Sequence, residues 1–269
     1  MRVFDLSAQD YLDVNTADLT AYVYDTGLKD KLVLPDDQRE LLDILTSDIT
    51  VFTGDIIEGK SAGNVILARG RPGVGKTLTA EVYAEVIGKP LYSIHTGSLG
   101  ITADLVRQNL EEIFERAKRW DAVLLLDEAD VFVLERGFEL QQNAIVAEFL
   151  RTLEYYDGLL FLTTNRIHGV DEAILARCAA VIDYQPPHAE HARQIWQNLA
   201  AEHDIVLEPA LLEQLVVGFD GITPRDIKMV LRLALRMAIH RGVELSMEVF
   251  TAAARFRGLT PQLELQRQN

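Results

Sequence analysis

The chain has 269 residues, 48% of them hydrophobic, which is enough to bury a substantial core in one large or two modest domains. No stretch approaches the ~18 consecutive apolar residues of a membrane span; the start "MRVFDLSAQD" lacks an apolar signal core, and the single cysteine, Cys178, excludes an internal disulfide, so a soluble protein of the reducing cytoplasm is expected. The net charge of −15 is uneven, with 13 acidic against 5 basic residues in 1–60, 18 against 12 in 61–184 and 10 against 9 in 185–269; no segment is basic, which argues against nucleic acid as a partner.

Residues 1–30 hold short alternating stretches such as "YLDVNTADLTAYVYD" that predict a few strands and turns. They are too short for a domain, and form an extension that either docks on the downstream chain or is the remnant of a larger N-terminal domain. "LVLPDDQRELLDILTSDITVF" then predicts a helix, with Pro35 and Asp36 near its start.

From residue 63 the short apolar runs "NVILA", "PLYSI", "AVLLLD", "LLFLTT" and "AAVIDY" alternate with helical stretches such as "TLTAEVYAEVIG" and "DLVRQNLEEIFERAKRW". Most of the runs lack polar alternation, as strands of a sheet covered on both faces do. The expectation is a three-layer α/β domain over residues 31–186 with a parallel five-stranded sheet. "YQPPHAE" is a break, and four helical stretches come after it, giving a small all-α domain over 187–258 and a polar, frayed tail over 259–269.

The stretch "ARGRPGVGKTLTAE" carries the first chemistry. Gly70, Gly75, Lys76 and Thr77 satisfy G-x-x-x-x-G-K-[ST], the P-loop of a nucleoside triphosphatase, and Pro72, Gly73, Val74 and Leu78 complete the segment expected to touch nucleotide. Glycines let backbone N–H groups face the phosphates, the lysine reaches the β and γ phosphates, and the threonine hydroxyl ligates magnesium. A chance match in a chain of this length has odds of about one in a hundred, and the required strand before and helix after are both present.

A second strand, "AVLLLDEAD", ends in carboxylates. Ligands gather at the carboxyl ends of such strands, so Asp127 is expected beside the phosphates, holding magnesium, and Glu128 is placed to orient or deprotonate the attacking water. Asp130 fits either a helix cap or a functional role. The strand "LLFLTTNR" ends in Asn165, whose amide needs a partner that a water facing the γ-phosphate would supply.

"GRPGVGKT", "LLLDEAD", "TTNR", "DEAILARC" and "GITPRDI" together resemble, in order, the Walker A, Walker B, sensor 1, arginine-finger and sensor 2 elements of the AAA branch of the AAA+ ATPases, over about residues 30–257. The resemblance implies an α/β nucleotide-binding domain with a helical lid, ATP and Mg2+ as ligands, and a homo-oligomeric ring, a hexamer, acting on a protein client. It makes Arg177 the finger that completes a neighbour's active site and Arg225 the residue that reports the γ-phosphate to the lid. Two departures stand out. "RCAAVIDY" offers one finger where two are common, and the loop "HTGSLGITADL" lacks the aromatic that grips a threaded polypeptide, leaving Leu99, Gly100 and Ile101 as candidates. The expected function is ATP hydrolysis that remodels a protein, with a nucleotide-gated assembly module as the alternative and a nucleic-acid loader disfavoured by charge. N-K-x-D, the guanine signature, is absent, and the six histidines show no metal-ligand spacing.

Overall fold

The computed structural model describes residues 1–47, 64–137 and 139–262. Residues 48–52 of the first expected helix and most of the polar tail lie outside the described residues. The chain divides into two compact units, one comprising Met1–Gly70 and Lys76–Asp183, the other Arg71–Gly75 and the chain from Tyr184.

The first unit runs β1 (Arg2–Asp5), β2 (Asp10–Asp13), α1 (Leu28–Lys31), α2 (Asp36–Thr46), β3 (Asn64–Gly70), α3 (Lys76–Val86), β4 (Leu91–His95), α4 (Ala103–Arg119), β5 (Val123–Asp127), α5 (Asp130–Val133), α6 (Leu140–Leu153), β6 (Leu159–Thr164), α7 (Glu172–Leu175) and β7 (Ala180–Tyr184). Strands β3 to β7 form one sheet in the order β4-β5-β6-β3-β7, and the pairs β3/β6, β4/β5 and β5/β6 are parallel. Alternate strand residues point to opposite faces. Val65, Leu67, Leu124, Leu126, Leu160 and Leu162 enter a core cluster with Val106, Leu110 and Phe114 of α4 and Val146 and Phe149 of α6. Ile66, Leu125 and Phe161 between them are equally buried, which explains the unbroken apolar runs. Each such side chain contributes ~1.5–3 kcal/mol of hydrophobic stabilisation.

β1 and β2 make an antiparallel hairpin beside the sheet edge. Phe4 stacks 4.8 Å from Trp120 and edge-on to Tyr92 of edge strand β4, and Gln9 Nε2 donates to Ser93 O at 2.7 Å. Further along, Tyr22 Oη donates to Glu85 Oε1 at 2.6 Å and the Asp25 N–H to Glu85 Oε2 at 2.9 Å. Phe4, Gln9, Tyr22 and Asp25 therefore tie this N-terminal stretch to the α/β unit, Gln9 occupying one backbone acceptor of the edge strand.

The second unit holds α8 (Ala189–Ala201), α9 (Pro209–Gly218), α10 (Pro224–Arg241) and α11 (Met247–Arg255). Trp196, Phe219 and Phe250 meet at its centre, the rings of Trp196 and Phe250 edge-on at 5.6 Å. Thr223 caps α10 by accepting the Asp226 N–H, Pro224 occupies its first turn, and Gly242 ends it at φ 63°. Gly73 belongs to this unit. Its carbonyl accepts the Arg225 N–H at 3.2 Å, and with φ at 85° and an added Cβ only 2.8 Å from Arg225 Cβ the position requires glycine.

Candidate functional site

Sheet register decides which strand ends meet. β6 lies between β3 and β5 and pairs Arg69 with Thr164 and Leu126 with Leu162. One residue further along, Gly70 ends β3 beside Asn165, the first residue after β6, and Asp127 falls beside Thr163. The P-loop strand and the carboxylate strand, separated in the chain by β4, thus present their carboxyl ends on either side of the strand that leads into Asn165.

Side chains convert this register into a network. Lys76, 7% exposed, donates from Nζ to Gly70 O at 2.8 Å and to Asn165 Oδ1 at 3.0 Å. Thr77 Oγ1 donates to Asp127 Oδ1 at 2.9 Å. A buried ammonium needs acceptors, and the half-buried Asp127 carboxylate takes hydroxyl donors, so each group is held by its neighbours. Glu81, one turn after Thr77 and exposed at the surface, has its carboxyl raised above the usual range, by desolvation first and by the Asp127 charge second.

Glu128 comes directly after Asp127 with φ at 56°, a left-handed conformation that costs a non-glycine residue ~1–3 kcal/mol. Two threonines hold it there. Its N–H donates to Thr163 Oγ1 at 3.0 Å, and its carbonyl accepts from Thr96 Oγ1 at 2.7 Å. Thr163 Oγ1 in turn donates to Asp127 Oδ1. Asp130 accepts the Thr164 hydroxyl and the Asn165 N–H, the latter at 3.0 Å, which fixes the turn carrying Asn165. Sequence reasoning missed Thr96, Thr163 and Glu81. Only the helical spacing of Glu81 from Thr77 offered a signal, because the two threonines reach Glu128 through pairing of distant strands.

Lys76, Thr77, Asp127, Glu128 and Asn165 are thus brought together in the first unit. Gly70 and Gly75 have φ of 152° and 112°, Val74 is buried, and Pro72 and Leu78 are exposed. Arg177 takes no part in that network. It donates to Glu154 Oε1 and to Ala173 O, each at 3.0 Å, and its Nε has no hydrogen-bond partner. Its neighbour Cys178 is half-buried, and desolvation pushes the thiol up to about 12. Arg225 is exposed in the second unit and is held through its backbone at Gly73. In the loop after β4, Leu99 is fully buried while Ile101 is 76% exposed, its carbonyl accepting from Gln141 Nε2 at 2.9 Å. Leu99 is therefore a core residue and not a candidate for gripping a chain.

The donor set suits a triphosphate with magnesium. Thr77 Oγ1 and Asp127 Oδ1 are hard oxygens, and magnesium keeps several waters while taking one or two carboxylates and substrate phosphate. Among the described residues no group of three or more His, Cys, Asp or Glu could hold a metal by itself. Glycines at positive φ turn the loop backbone, and Lys76 supplies a poorly hydrated positive charge.

Comparison with known proteins bears on the same segment. The profile of the family described as "ATPase family associated with various cellular activities (AAA)" matches residues 66–186. A putative 26S proteasome regulatory subunit homolog of Methanothermobacter marburgensis is 28% identical over 188 residues, 66% of this chain and 49% of the relative. Human fidgetin-like protein 1 is 30% identical over 196 residues, 68% of this chain and 28% of the relative. The chain therefore spans half or less of the length of these two. An uncharacterized AAA family ATPase of Sinorhizobium fredii is 25% identical over 240 residues, 81% of this chain and 71% of the relative. The crystal structure of the FIGL-1 AAA domain in complex with ADP shares the fold, with a TM-score of 0.65 at 22% identity over 83% of this chain and 82% of that one.

Proposed function

Residues 66–186 make this chain a member of the AAA+ superfamily, and from that premise we propose that the protein binds ATP with Mg2+ and hydrolyses it to ADP and phosphate. The observation that carries this is the network joining Lys76, Asn165, Thr77, Asp127 and the backbone of Glu128 at the ends of three adjacent strands.

In this reading Lys76 exchanges its present acceptors for the β and γ phosphates, and the backbone N–H groups of Gly70 and of Gly73 to Leu78 line the triphosphate. Thr77 and Asp127 would hold magnesium, which supplies charge neutralisation to the phosphates. Asn165 orients a water in line with the γ-phosphate. Glu128 accepts that water's proton as its oxygen bonds to phosphorus and the bond to the β-phosphate oxygen breaks, leaving ADP. Arg177 leaves Glu154 to stabilise the γ-phosphate of a neighbouring subunit, which places each site between two copies of a ring, a hexamer. Arg225 reports the triphosphate to the helical unit, coupling its orientation to nucleotide state. The protein client and a cytoplasmic setting belong to the same proposal. Among the described residues no helix is long and apolar enough to cross a membrane.

Glu128→Gln is the test. Hydrolysis is expected to fall by ~10²–10⁴-fold with ATP binding retained, and an unchanged rate would remove Glu128 from its role. Similarity to a proteasome regulatory subunit homolog and the exposed Ile101 favour work on a polypeptide. Turnover stimulated by an unfolded protein and blunted by Ile101→Ser supports that reading; unchanged turnover supports the assembly module. Salt-sensitive DNA binding would favour the loader instead.

A further inference from the structure

Helix α10 carries five basic residues against one acid in a chain of net charge −15. Lys228, Arg232 and Arg236 recur at four-residue spacing, and Ile239, 81% exposed, completes the row. At about 100° per residue these four side chains fall within an arc of about 80°. All are exposed, and among the described residues none of the three cations has a side-chain partner. Like charges four residues apart destabilise their own helix, so the stripe works against α10 unless something outside the unit neutralises it.

Helix α2 presents the complement. Asp36, Asp37, Glu40 and Ile44, the last 53% exposed, share an arc of about 100°. These three carboxylates are exposed and likewise have no partner among the described residues, whereas Asp43 at the edge of the face is tied to Lys29 at 2.7 Å. The spacings agree as well. Asp36 to Glu40 and Arg232 to Arg236 each span about 6 Å, and the steps from there to Ile44 and Ile239 span about 6 and 4.5 Å.

We propose that α10 of one copy packs along α2 of a neighbouring copy, with Arg232 against Asp36 and Asp37, Arg236 against Glu40, and Ile239 against Ile44. Two different surfaces meeting in this way make a heterologous contact, the kind that closes into a ring. The inference rests on the ring proposed above and names the charges that set its register. A phosphate backbone fits less well, because it would meet the cations but leave Ile239 uncovered, and the chain's overall charge opposes its approach.

The full chain, carrying Glu128→Gln and saturated with ATP, is compared by sedimentation velocity over a range of concentrations, with ATP affinity as the control for folding. Arg232→Glu with Arg236→Glu, and separately Asp36→Lys with Glu40→Lys, are expected to raise the assembly midpoint by about tenfold or more. Combining all four in one chain, or mixing the two reversed proteins, restores assembly. If the parent assembles and the reversed variants match it, or if the fourfold variant is not rescued, the pairing is overturned while the ring stands. A parent that never assembles overturns both. Binding of poly-glutamate or an oligonucleotide that is lost with Arg232→Glu and Arg236→Glu while assembly is unchanged assigns the stripe to that ligand and overturns the proposal.

Discussion

The Thr163 hydroxyl accepts the Glu128 N–H at 3.0 Å while donating to the Asp127 carboxylate, so one buried side chain fixes two consecutive acids whose proposed roles differ. Thr163→Val keeps the shape but removes both bonds, leaving an unpaired N–H at a left-handed residue, at a cost of ~1–3 kcal/mol. Displacing the proposed base in this way is expected to lower kcat by up to about 10²-fold with ATP affinity nearly unchanged. Steady-state kinetics beside nucleotide titration checks this, and equal losses in both would mean that Thr163 supports binding instead.

The ion pair of Arg177 with Glu154 has side chains 29% and 34% exposed, so its contribution to stability is no more than ~1 kcal/mol. In its proposed role as a finger acting in trans, the same arginine would be worth ~10³-fold or more in hydrolysis. Arg177→Ala should therefore leave the thermal midpoint almost unmoved and abolish most turnover. Mixed with Glu128→Gln subunits it should recover part of the activity, because some interfaces regain both groups. No recovery in rings shown to be mixed would make Arg177 a structural residue.

Leu99 and Ile101 are two residues apart and opposite in environment. Leu99→Ala is expected to destabilise by ~2–5 kcal/mol through the cavity it leaves, whereas Ile101→Ser should stay within ~0.5 kcal/mol and alter only the client stimulation proposed above. Chemical denaturation of the two variants separates the cases.

Asp183 receives two bonds from Arg69, and that contact holds its carboxyl below the usual range. Its unfolded value is ~3.9, so the stabilisation is complete above that pH and is lost as pH falls through the lower folded value. With side chains 24% and 50% exposed the effect is small. The difference in thermal midpoint between the parent and Asp183→Asn should be positive near about pH 6 and shrink as pH falls below about 4. A difference that persists in acid would assign it to something other than the charge.

Features that depend on neighbouring residues are legible in the amino-acid order. Gly70 to Thr77 must curl and bear a lysine, the apolar runs must be covered strands, and the stretches around Ala189, Pro209, Pro224 and Met247 must be helices, because backbone sterics and periodicity act over a few residues. The remaining features exist only once the chain has folded. The order β4-β5-β6-β3-β7 sets Thr163 against Glu128 and Asp127, packing makes Leu99 core and Ile101 surface, and the fold brings Glu154 to Arg177. Most of these contacts join residues tens of positions apart, and their partners are chosen by register and burial across the whole sheet, which no local spacing encodes.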